Sequence, residues 1–189
     1  MAVSENVLEQ FIKGNADATR MLVEMHNKEL FNLCFRLTLS KQDAEDLYQA
    51  TWMKAIRNAN RYSDRAFRAW LFKICINQFR DNCRKEQRRG KIFREDYISS
   101  DAKDLLMEVA ESKESAEVYY ERQATRELIV TAINNLPELH KVPLVLFYYQ
   151  GLPYLEIAHI MQVPEGTVKS RISTAKRILK EKLEGEINV

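Results

Sequence analysis

The stretch FRAWLFKICINQFRDNCRKEQRRGK at residues 67–91 decides the fold, because it carries two different faces at helical spacing. Its apolar face is a broad stripe that repeats with the period of an α-helix. The stripe contains Phe67, Trp70, Leu71, Ile74, Cys75 and Phe79. A second line of the same helix is polar and basic. That line contains Lys73, Asn77, Arg80, Arg84 and Arg88. One face therefore requires a protein core, and the other requires solvent or an anion.

The basic line has two interpretations. The helix dipole favours basic residues near a helix C-terminus, so a solvated helix end would explain them. Such an end usually carries interleaved acids for solubility, and only Asp81 and Glu86 are present between residues 73 and 91. Clustered Lys and Arg beside aromatic residues are typical of nucleic-acid binding. We therefore favour a nucleic-acid contact for this line.

The charge of the chain is unevenly distributed, although its net value is only +2. Residues 54–94 hold 13 Lys and Arg against 3 Asp and Glu, and residues 164–183 hold 6 against 2. Residues 95–127, which lie between these blocks, hold 4 Lys and Arg against 10 Asp and Glu. This asymmetry indicates two contacts with a polyanion, or one contact and an acidic mask.

Composition and residue spacing argue against a metal site, a signal peptide and a membrane-spanning segment. The 189 residues suffice for one domain or two small ones. Neither the cysteines nor the histidines have metal-site spacing, so we expect no metal and no other cofactor. Cys34 and Cys75 lie in apolar runs and fit buried free thiols, and an odd, unpatterned set of three cysteines fits a reducing cytoplasm. We expect no signal peptide in MAVSENVLEQF and no run of the ~20 apolar residues that span a bilayer. The three cysteines are Cys34, Cys75 and Cys83, and the three histidines are His26, His140 and His159.

The chain reads as all-α, because Gly and Pro are rare and no strand-like alternation occurs. Residues 17–39 place Leu22, Met25, Leu30, Leu33 and Leu37 on one helical face. Ser40 then reads as an N-cap, with the Asp43 carboxylate as its reciprocal partner. The next helix has an apolar stripe of Ala44, Leu47, Thr51 and Ala55, widened by Tyr48, Trp52 and Ile56.

The other side of this helix is acidic. It carries Asp43, Glu45, Asp46 and Gln49. A row of carboxylates on a helix is usually a solvated surface. The functional alternative is docking to a basic surface of a partner.

A loop precedes the long helix, at Asn60-Arg61-Tyr62-Ser63-Asp64. Ser63 or Asp64 is expected to cap the helix that follows. Together with Arg65, the loop supplies Arg and aromatic side chains that could stack on an unpaired base. Packing of Tyr62 on the core remains an equal alternative.

Residues 91–115 are polar and read as a flexible linker, with room for one short helix. A flexible chain of this length has an end-to-end distance of about 25–30 Å. The two basic blocks could therefore contact separate parts of one partner.

Helical periodicity resumes from about residue 115 and ends in a helix-turn-helix pattern. Pro137 opens one helix, Pro143 should bend it, and Gly151 ends it. Pro153 and Pro164 open two further helices, which a tight turn at Gln162 and Val163 joins. The predicted inner face of the last helix contains Val168, Ile172, Ala175 and Leu179.

The outer face of that last helix is polar and basic. It offers Thr167, Lys169, Ser170, Arg171, Ser173, Thr174, Lys176 and Arg177. Short polar side chains near a helix N-terminus suit the base edges of a major groove, and later basic residues suit phosphates. An ordinary helical hairpin is the alternative, but the basic outer face favours DNA binding.

Three strings in this order resemble bacterial sigma factors of the extracytoplasmic function group, in the sigma-70 family. DAEDLYQATWMKAI at 43–56 resembles the polymerase-docking helix of that family. SDRAFRAWLFKICINQFRDNCRK at 63–85 resembles its minus-ten segment. The sequence from 136 to 183, which contains EGTVKSR at 165–171, resembles its minus-35 module. The likeness covers most of the chain, from about residue 27 to residue 183, except the linker.

The resemblance implies a role for each surface. The acidic helix, with Asp43, Glu45, Asp46, Gln49 and Trp52, would dock to the beta-prime clamp of core RNA polymerase. The residues implied for the melted minus-ten strand are Arg61, Tyr62, Ser63, Arg65, Phe67, Lys73, Asn77, Arg80, Arg84 and Arg88. The residues implied for the minus-35 duplex are Thr167, Lys169, Ser170, Arg171, Ser173, Lys176 and Arg177. The C-terminal domain would also meet the polymerase beta flap, and family members are commonly silenced by an anti-sigma protein, often membrane-bound.

Four positions depart from the family pattern. Ala50 stands where the docking motif usually has Glu, and the loop from Tyr62 to Phe67 is one residue shorter than usual. Pro153 replaces a Ser or Thr N-cap, which removes about 1 kcal/mol of capping energy. Gln162 replaces a Gly, at a place where a left-handed backbone conformation would cost roughly 1 kcal/mol.

We therefore predict an all-α protein of two small helical domains joined by a flexible acidic linker. The N-terminal helical bundle would occupy residues 1–90, the linker 91–115, and the helix-turn-helix domain 116–189. Its function would be promoter-specific transcription initiation with core RNA polymerase in the cytoplasm, without catalysis. A stand-alone helix-turn-helix regulator would leave residues 43–91 without a role. A small nuclease would need a metal or acid–base group that the sequence does not offer.

Overall fold

The computed structural model describes residues 4–62, 66–88 and 128–187. Within these ranges the regular structure is helical and contains no strand, so the predicted all-α class is confirmed. The helices form an N-terminal and a C-terminal group. The predicted linker at 91–115 lies outside the described residues, as does the first part of the predicted C-terminal domain.

The N-terminal group is a bundle of four helices. They are α1 (Glu5–Ile12), α2 (Ala16–Thr38), α3 (Lys41–Arg57) and α4 (Phe67–Arg88), with a 3-10 turn at Ala59–Arg61. Side chains cap the first helices, since Ser4 accepts from the Val7 N–H and Asn15 from the Ala18 N–H.

A two-residue turn makes α2 and α3 antiparallel neighbours. Leu39 ends α2 in the left-handed conformation, with φ 54°, and donates its N–H to the Phe35 carbonyl at 2.7 Å. Ser40 then caps α3, because its Oγ accepts the Asp43 N–H at 3.3 Å. The predicted N-cap at Ser40 is thus confirmed.

The apolar arc of α4 is wider than predicted. Five of its predicted stripe residues are buried, namely Phe67, Trp70, Leu71, Cys75 and Phe79. Ile74 is only half-buried, whereas Phe72 and Ile76 are buried as well. The physical reason is that α4 packs against α2 and α3 on one side and against the C-terminal group on the other.

Two apolar residues that were predicted to face inward are exposed. Met25 is 41% exposed and Ile56 is 48% exposed. On α2 the inward line instead runs through Leu22, His26 and Leu30, which displaces Met25 toward solvent.

The start of α4 also differs from the prediction. The Trp70 N–H donates to the Ala66 carbonyl at 3.2 Å, so Ala66 occupies the N-cap position. The predicted caps, Ser63 and Asp64, lie outside the described residues.

The cysteines of the bundle are free thiols, as predicted. Cys34 on α2 and Cys75 on α4 are fully buried, with their Sγ atoms 3.6 Å apart. This contact, together with burial, raises the pKa of the Cys34 thiol far above its usual range. Both thiols therefore act as small apolar core groups that join α2 to α4.

The C-terminal group contains the predicted helix-turn-helix. Residues 128–134 are helical, and α5 (Glu138–Tyr148), α6 (Tyr154–Met161) and α7 (Glu165–Ile187) follow. Gly151, with φ 64°, lies in the turn after α5. Between α6 and α7, Gln162 adopts the predicted left-handed conformation, with φ 55° and ψ 46°.

The two groups pack against each other, which the sequence did not predict. Helices α2 and α4 contact α5 and α6. Arg68 of α4 lies 3.2 Å from a Glu156 carboxylate oxygen of α6. The Arg36 guanidinium lies 4.4 Å from the centre of the Tyr149 ring. The buried hydrophobic residues of both groups form one continuous cluster.

Lys141 of α5 is buried at this junction. Its Nζ donates to the Asn134 Oδ1 at 3.0 Å and lies 5.9 Å from the centre of the Phe79 ring of α4. Burial lowers its pKa to about 8, because the charged form is poorly solvated there. A lysine stem can cover apolar surface in this way while its ammonium group keeps polar contacts.

Within the described ranges, no helix combines the length and apolarity that crossing a bilayer requires. In the same ranges, no three His, Cys, Asp or Glu side chains converge as a metal site would need.

The left-handed Gln162 gives a test of the turn. We expect Gln162→Gly to raise the free energy of unfolding of the C-terminal group by about 0.5–1 kcal/mol, because glycine removes the clash of the Cβ atom. Urea unfolding followed by circular dichroism measures the change. Gln150→Gly is the matched control, since Gln150 lies outside the left-handed region. An equal gain in the control would contradict the explanation.

Candidate nucleic-acid and protein interfaces

The acidic face of α3 is open to solvent. Asp43, Glu45, Asp46 and Gln49 are all exposed. The same side of the helix continues into Met53, which is 53% exposed, and Ile56. Carboxylates thus border an apolar surface, a combination that suits a protein partner better than solvent alone. Met53 was not predicted as part of this surface, because the prediction rested on the polar positions of the face.

Trp52 does not belong to that exposed face. It is 5% exposed, and its ring centre lies 6.3 Å from that of Phe67. The implied contact of Trp52 with a partner stays a prediction, and it would require this buried ring to become accessible. Trp52 holds α3 against α4.

Tyr62, which precedes α4 in the sequence, rests on an aromatic cluster centred on Phe67. This ring is 3% exposed, and its centre lies 5.4 Å from Phe11, 5.5 Å from Trp70 and 5.8 Å from Tyr62. Phe67 forms the floor on which Tyr62 packs, and its implied contact with DNA stays a prediction. Tyr62 is half-buried on that floor, and Arg61 is exposed.

Two other residues implied for this loop, Ser63 and Arg65, lie outside the described residues. The described edges of the loop are Tyr62 and Ala66. The loop is thus anchored at one end by an aromatic ring and at the other by the first turn of α4.

His26 joins this cluster from α2, and no sequence pattern predicted this position for it. The side chain is buried, with its ring centre 5.3 Å from that of Phe67. Within the described part of the chain, neither ring nitrogen has a hydrogen-bond partner, although the Glu29 carboxylate lies 3.9 Å away. Burial lowers the pKa of His26, and nearby Arg68 acts in the same direction.

The basic line of α4 is mostly available for binding. Asn77, Arg84 and Arg88 are exposed, and Lys73 is half-buried. Arg80 differs from them, because its side chain is only 19% exposed. Its Nε lies 3.8 Å from the Glu138 Oε2 of the C-terminal group.

Helix α7 presents the predicted outer face of the helix-turn-helix. Lys169, Ser170, Ser173, Lys176 and Arg177 are exposed, whereas Thr167 and Arg171 are half-buried. Its inner face is buried at Val168, Ile172 and Ala175. Leu179, also predicted inward, is half-buried.

Two basic residues of this face are paired within α7. Lys169 lies 2.6 Å from Glu165, and Arg177 lies 2.8 Å from Glu181. Exposed pairs of this kind are screened by solvent and contribute little to stability, so a phosphate can displace the carboxylates.

Arg171 is half-buried on α7. Burial lowers its pKa, the charge of Arg80 lowers it further, and the charge of Glu138 opposes both effects. His140 of α5 has a ring nitrogen 3.2 Å from the Arg171 carbonyl oxygen.

The two groups of helices match two described sequence families. Residues 22–89 match sigma-70 region 2. Residues 126–179 match sigma-70 region 4.

Curated relatives match along most of this chain. The RNA polymerase sigma-H factor of Pseudomonas aeruginosa is 31% identical, over 95% of this chain and 93% of its own length. The sigma factor SigE of Mycolicibacterium smegmatis is 32% identical over 86% of this chain, which spans 60% of that protein's length. SigW of Bacillus subtilis is 29% identical, over 93% of this chain and 94% of its own.

Solved structures share the fold. The sigma factor RpoE of Bartonella quintana, in complex with the anti-sigma factor NepR, has a TM-score of 0.61 and 26% identity, covering 87% of this chain and 96% of its own. CnrH in complex with the cytosolic domain of CnrY has a TM-score of 0.63 and 23% identity, covering 95% and 96%.

The buried His26 predicts a pH dependence of stability. Because its pKa in the folded chain lies below the ordinary 6.5, the unfolded chain binds more protons at mildly acidic pH. This contribution to stability is complete above about pH 6.5 and is lost as the pH falls below that value.

We expect His26→Leu to flatten the fall in stability between about pH 6.5 and pH 5. Thermal unfolding across this range measures the effect. The exposed His159 gives the control His159→Leu, which should keep the wild-type slope. A wild-type slope in His26→Leu would exclude His26 as the titrating group.

Proposed function

The chain belongs to the sigma-70 family, in its extracytoplasmic function group, and we propose that its helix groups divide promoter recognition between them. As a sigma factor it directs transcription initiation at promoters and is not an enzyme. The observation that carries the proposal is the pair of basic faces on α4 and α7, each backed by a buried apolar face. We propose that each face binds a different part of the promoter.

For α3 we propose docking to core RNA polymerase. Asp43, Glu45, Asp46 and Gln49 would meet basic groups of the beta-prime clamp, while Met53 and Ile56 would bury apolar surface beside them. Ala50 lies on this face in place of an acid, so the apolar contribution carries more of the binding.

For α4 we propose capture of the melted minus-ten strand. Lys73, Asn77, Arg84 and Arg88 form a track for a single-stranded backbone, which Arg80 would join. Arg61 is exposed and Tyr62 is half-buried shortly before α4 in the sequence, and an unstacked base would rest on this side of the helix. Binding to these residues would stabilise the unpaired strand. Strand separation would then be driven by binding energy and would need no chemical step.

For α7 we propose readout of the minus-35 duplex. Thr167, Ser170, Arg171 and Ser173 are near enough to the helix N-terminus to reach base edges in a major groove. Lys169, Lys176 and Arg177 would contact the flanking phosphates and fix the register.

Further partners follow from the family. On α5 and α6, Tyr148 and Leu155 are 55% and 71% exposed, and we propose that they meet the beta flap of the polymerase. Because RpoE, a similar protein, is bound to the anti-sigma factor NepR, we propose an anti-sigma partner for this chain, membrane-bound as in many family members. The chain would act in the cytoplasm, where polymerase and promoters meet.

A run-off transcription assay tests this function. Core polymerase would be supplied with random promoter templates, with and without the chain. We expect initiation only in its presence, at a recurring sequence. No stimulation would overturn the proposal, and tight duplex binding without polymerase would favour a stand-alone helix-turn-helix regulator instead.

Asp46→Ala should weaken binding to core polymerase by about 3- to 10-fold, because a charged contact at the interface is lost. Its binding to DNA in the absence of polymerase should be unchanged. Glu9→Ala, at an exposed acid on α1, is the control with the same loss of charge. Loss of both activities in Asp46→Ala would indicate misfolding and not a docking defect.

Arg84→Ala should lower the salt dependence of single-strand binding. One lost phosphate contact reduces the slope of log K against log salt by about 0.7. Titration of a labelled mixed-sequence oligonucleotide at several salt concentrations gives the slope. Arg20→Ala removes an exposed charge on α2 and should leave the slope unchanged. Equal slopes in both variants would remove Arg84 from the interface.

A further inference from the structure

Lys169 of α7 is held by two side chains, although it lies on an exposed face. Its Nζ lies 2.6 Å from a carboxylate oxygen of Glu165, which is one helical turn earlier on α7. The same ammonium group lies over the Tyr154 ring of α6, 5.5 Å from the ring centre. A cation within about 6 Å of an aromatic ring centre is attracted to the face of the ring. Both helices of the helix-turn-helix therefore contribute to the position of this one cation.

The Tyr154 ring is itself fixed by its neighbours. It is half-buried and belongs to the first residue of α6. It stacks on the Phe147 ring of α5, with the ring centres 4.7 Å apart and an interplanar angle of 3°. Both rings pack against the buried hydrophobic residues of the chain. The core thus supports Phe147, Phe147 supports Tyr154, and Tyr154 supports an exposed ammonium group.

The two contacts of Lys169 should respond differently to a bound anion. Glu165 raises the pKa of Lys169, and Tyr154 acts in the same direction, so the ammonium group is charged at neutral pH. The side chains of Lys169 and Glu165 are 56% and 41% exposed, so solvent screens their pair and a phosphate can replace the carboxylate. The contact with Tyr154 can persist during this exchange, because an ammonium group has three N–H donors and the ring attracts it without supplying an acceptor atom.

A restricted Lys169 side chain would bind a phosphate more tightly than a free one. A lysine side chain has many rotamers, and ordering it against a DNA backbone costs affinity. A ring that already restricts the side chain removes part of this cost before DNA is bound. Because Tyr154 belongs to α6, it also keeps the ammonium group on the side of α7 that is next to α6.

We propose that Tyr154 is a positioning residue for DNA binding, which holds the Lys169 ammonium group beside α6 so that it binds a phosphate of the duplex backbone. Glu165 pairs with the ammonium group in the free chain and is replaced by the phosphate. Tyr154 acts through Lys169 and requires no contact of its own with DNA. The inference rests on the proposed role of α7 in duplex binding and adds a residue of α6 to it.

The first test asks whether the ring holds the ammonium group in the free chain. An aromatic ring shifts the NMR signals of protons above its face upfield. In the whole chain with carbon-13 at the Cε position of its lysines, the Lys169 signal is the one that is absent from Lys169→Met. We expect it upfield of the ordinary lysine position in the wild type and in Tyr154→Phe, and at the ordinary position in Tyr154→Leu. An ordinary position in the wild type would overturn the proposal.

The second test measures binding of the whole chain to a mixed-sequence DNA duplex at several salt concentrations, by fluorescence anisotropy. We expect Tyr154→Leu to bind about two- to fivefold more weakly, which is the value of an exposed cation–π contact, with the salt slope of the wild type. Lys169→Met should reduce the slope of log K against log salt by about 0.9, because a phosphate contact is lost. Lys28→Met removes an exposed charge on α2 and should keep the wild-type slope.

A double variant separates positioning from a merely structural role. If Tyr154 acts through Lys169, adding Tyr154→Leu to Lys169→Met should weaken binding no further. An equal loss in both backgrounds would overturn the proposal. A loss in Tyr154→Phe would also overturn it, because it would indicate a direct contact of the hydroxyl group with DNA. If Tyr154→Leu loses its helical circular dichroism signal, Tyr154→Met decides the outcome, since its unbranched side chain can pack on Phe147.

The positioning role and the proposed function can fail separately. If Lys169→Met binds the duplex more weakly and Tyr154→Leu does not, α7 binds DNA as proposed and the positioning role of Tyr154 is overturned. If Lys169→Met binds like the wild type, the phosphate contact proposed for Lys169 is overturned together with its positioning. Because duplex binding is measured without polymerase, neither result depends on the outcome of run-off transcription.

Discussion

The N-terminal bundle depends on the contacts that the buried ring of Phe67 makes. Its ring meets Phe11 of α1, His26 of α2, Trp52 of α3 and Trp70 of α4. Full burial of a phenylalanine side chain contributes roughly 1.5–3 kcal/mol, and aromatic pairs add to this. Because Phe67 is also the first residue of α4, the same ring sets where the basic line of that helix begins. Phe67 therefore determines both the packing of the core and the position of the proposed nucleic-acid surface.

Local features of the fold could be predicted from sequence. The Ser40 cap, the inward stripe of α4 and the left-handed Gln162 each depend on residues within a few positions of one another. The exposed carboxylates of α3 and the outer face of α7 likewise follow from helical period alone. These surfaces make up most of the candidate site.

Features that depend on distant residues could not be predicted. Trp52 and Phe67 were assigned to contacts with partners because they lie in strings that resemble functional motifs, yet both rings are needed by the core. Nothing near Arg80 in the sequence indicates Glu138, because the pair exists only through the packing of two helix groups. The burial of Lys141 arises in the same way, since Phe79 of α4 covers it.

The shared core of the two groups has a consequence for solubility. Phe79 is 8% exposed and lies at the junction beside Lys141, and α4 is buried on more than one side. Any separation of the groups uncovers this apolar surface, which water disfavours and other chains can bind. A separated chain would thus tend to associate nonspecifically unless polymerase or an inhibitor covers it. The packing of the two groups therefore also protects the chain from nonspecific association.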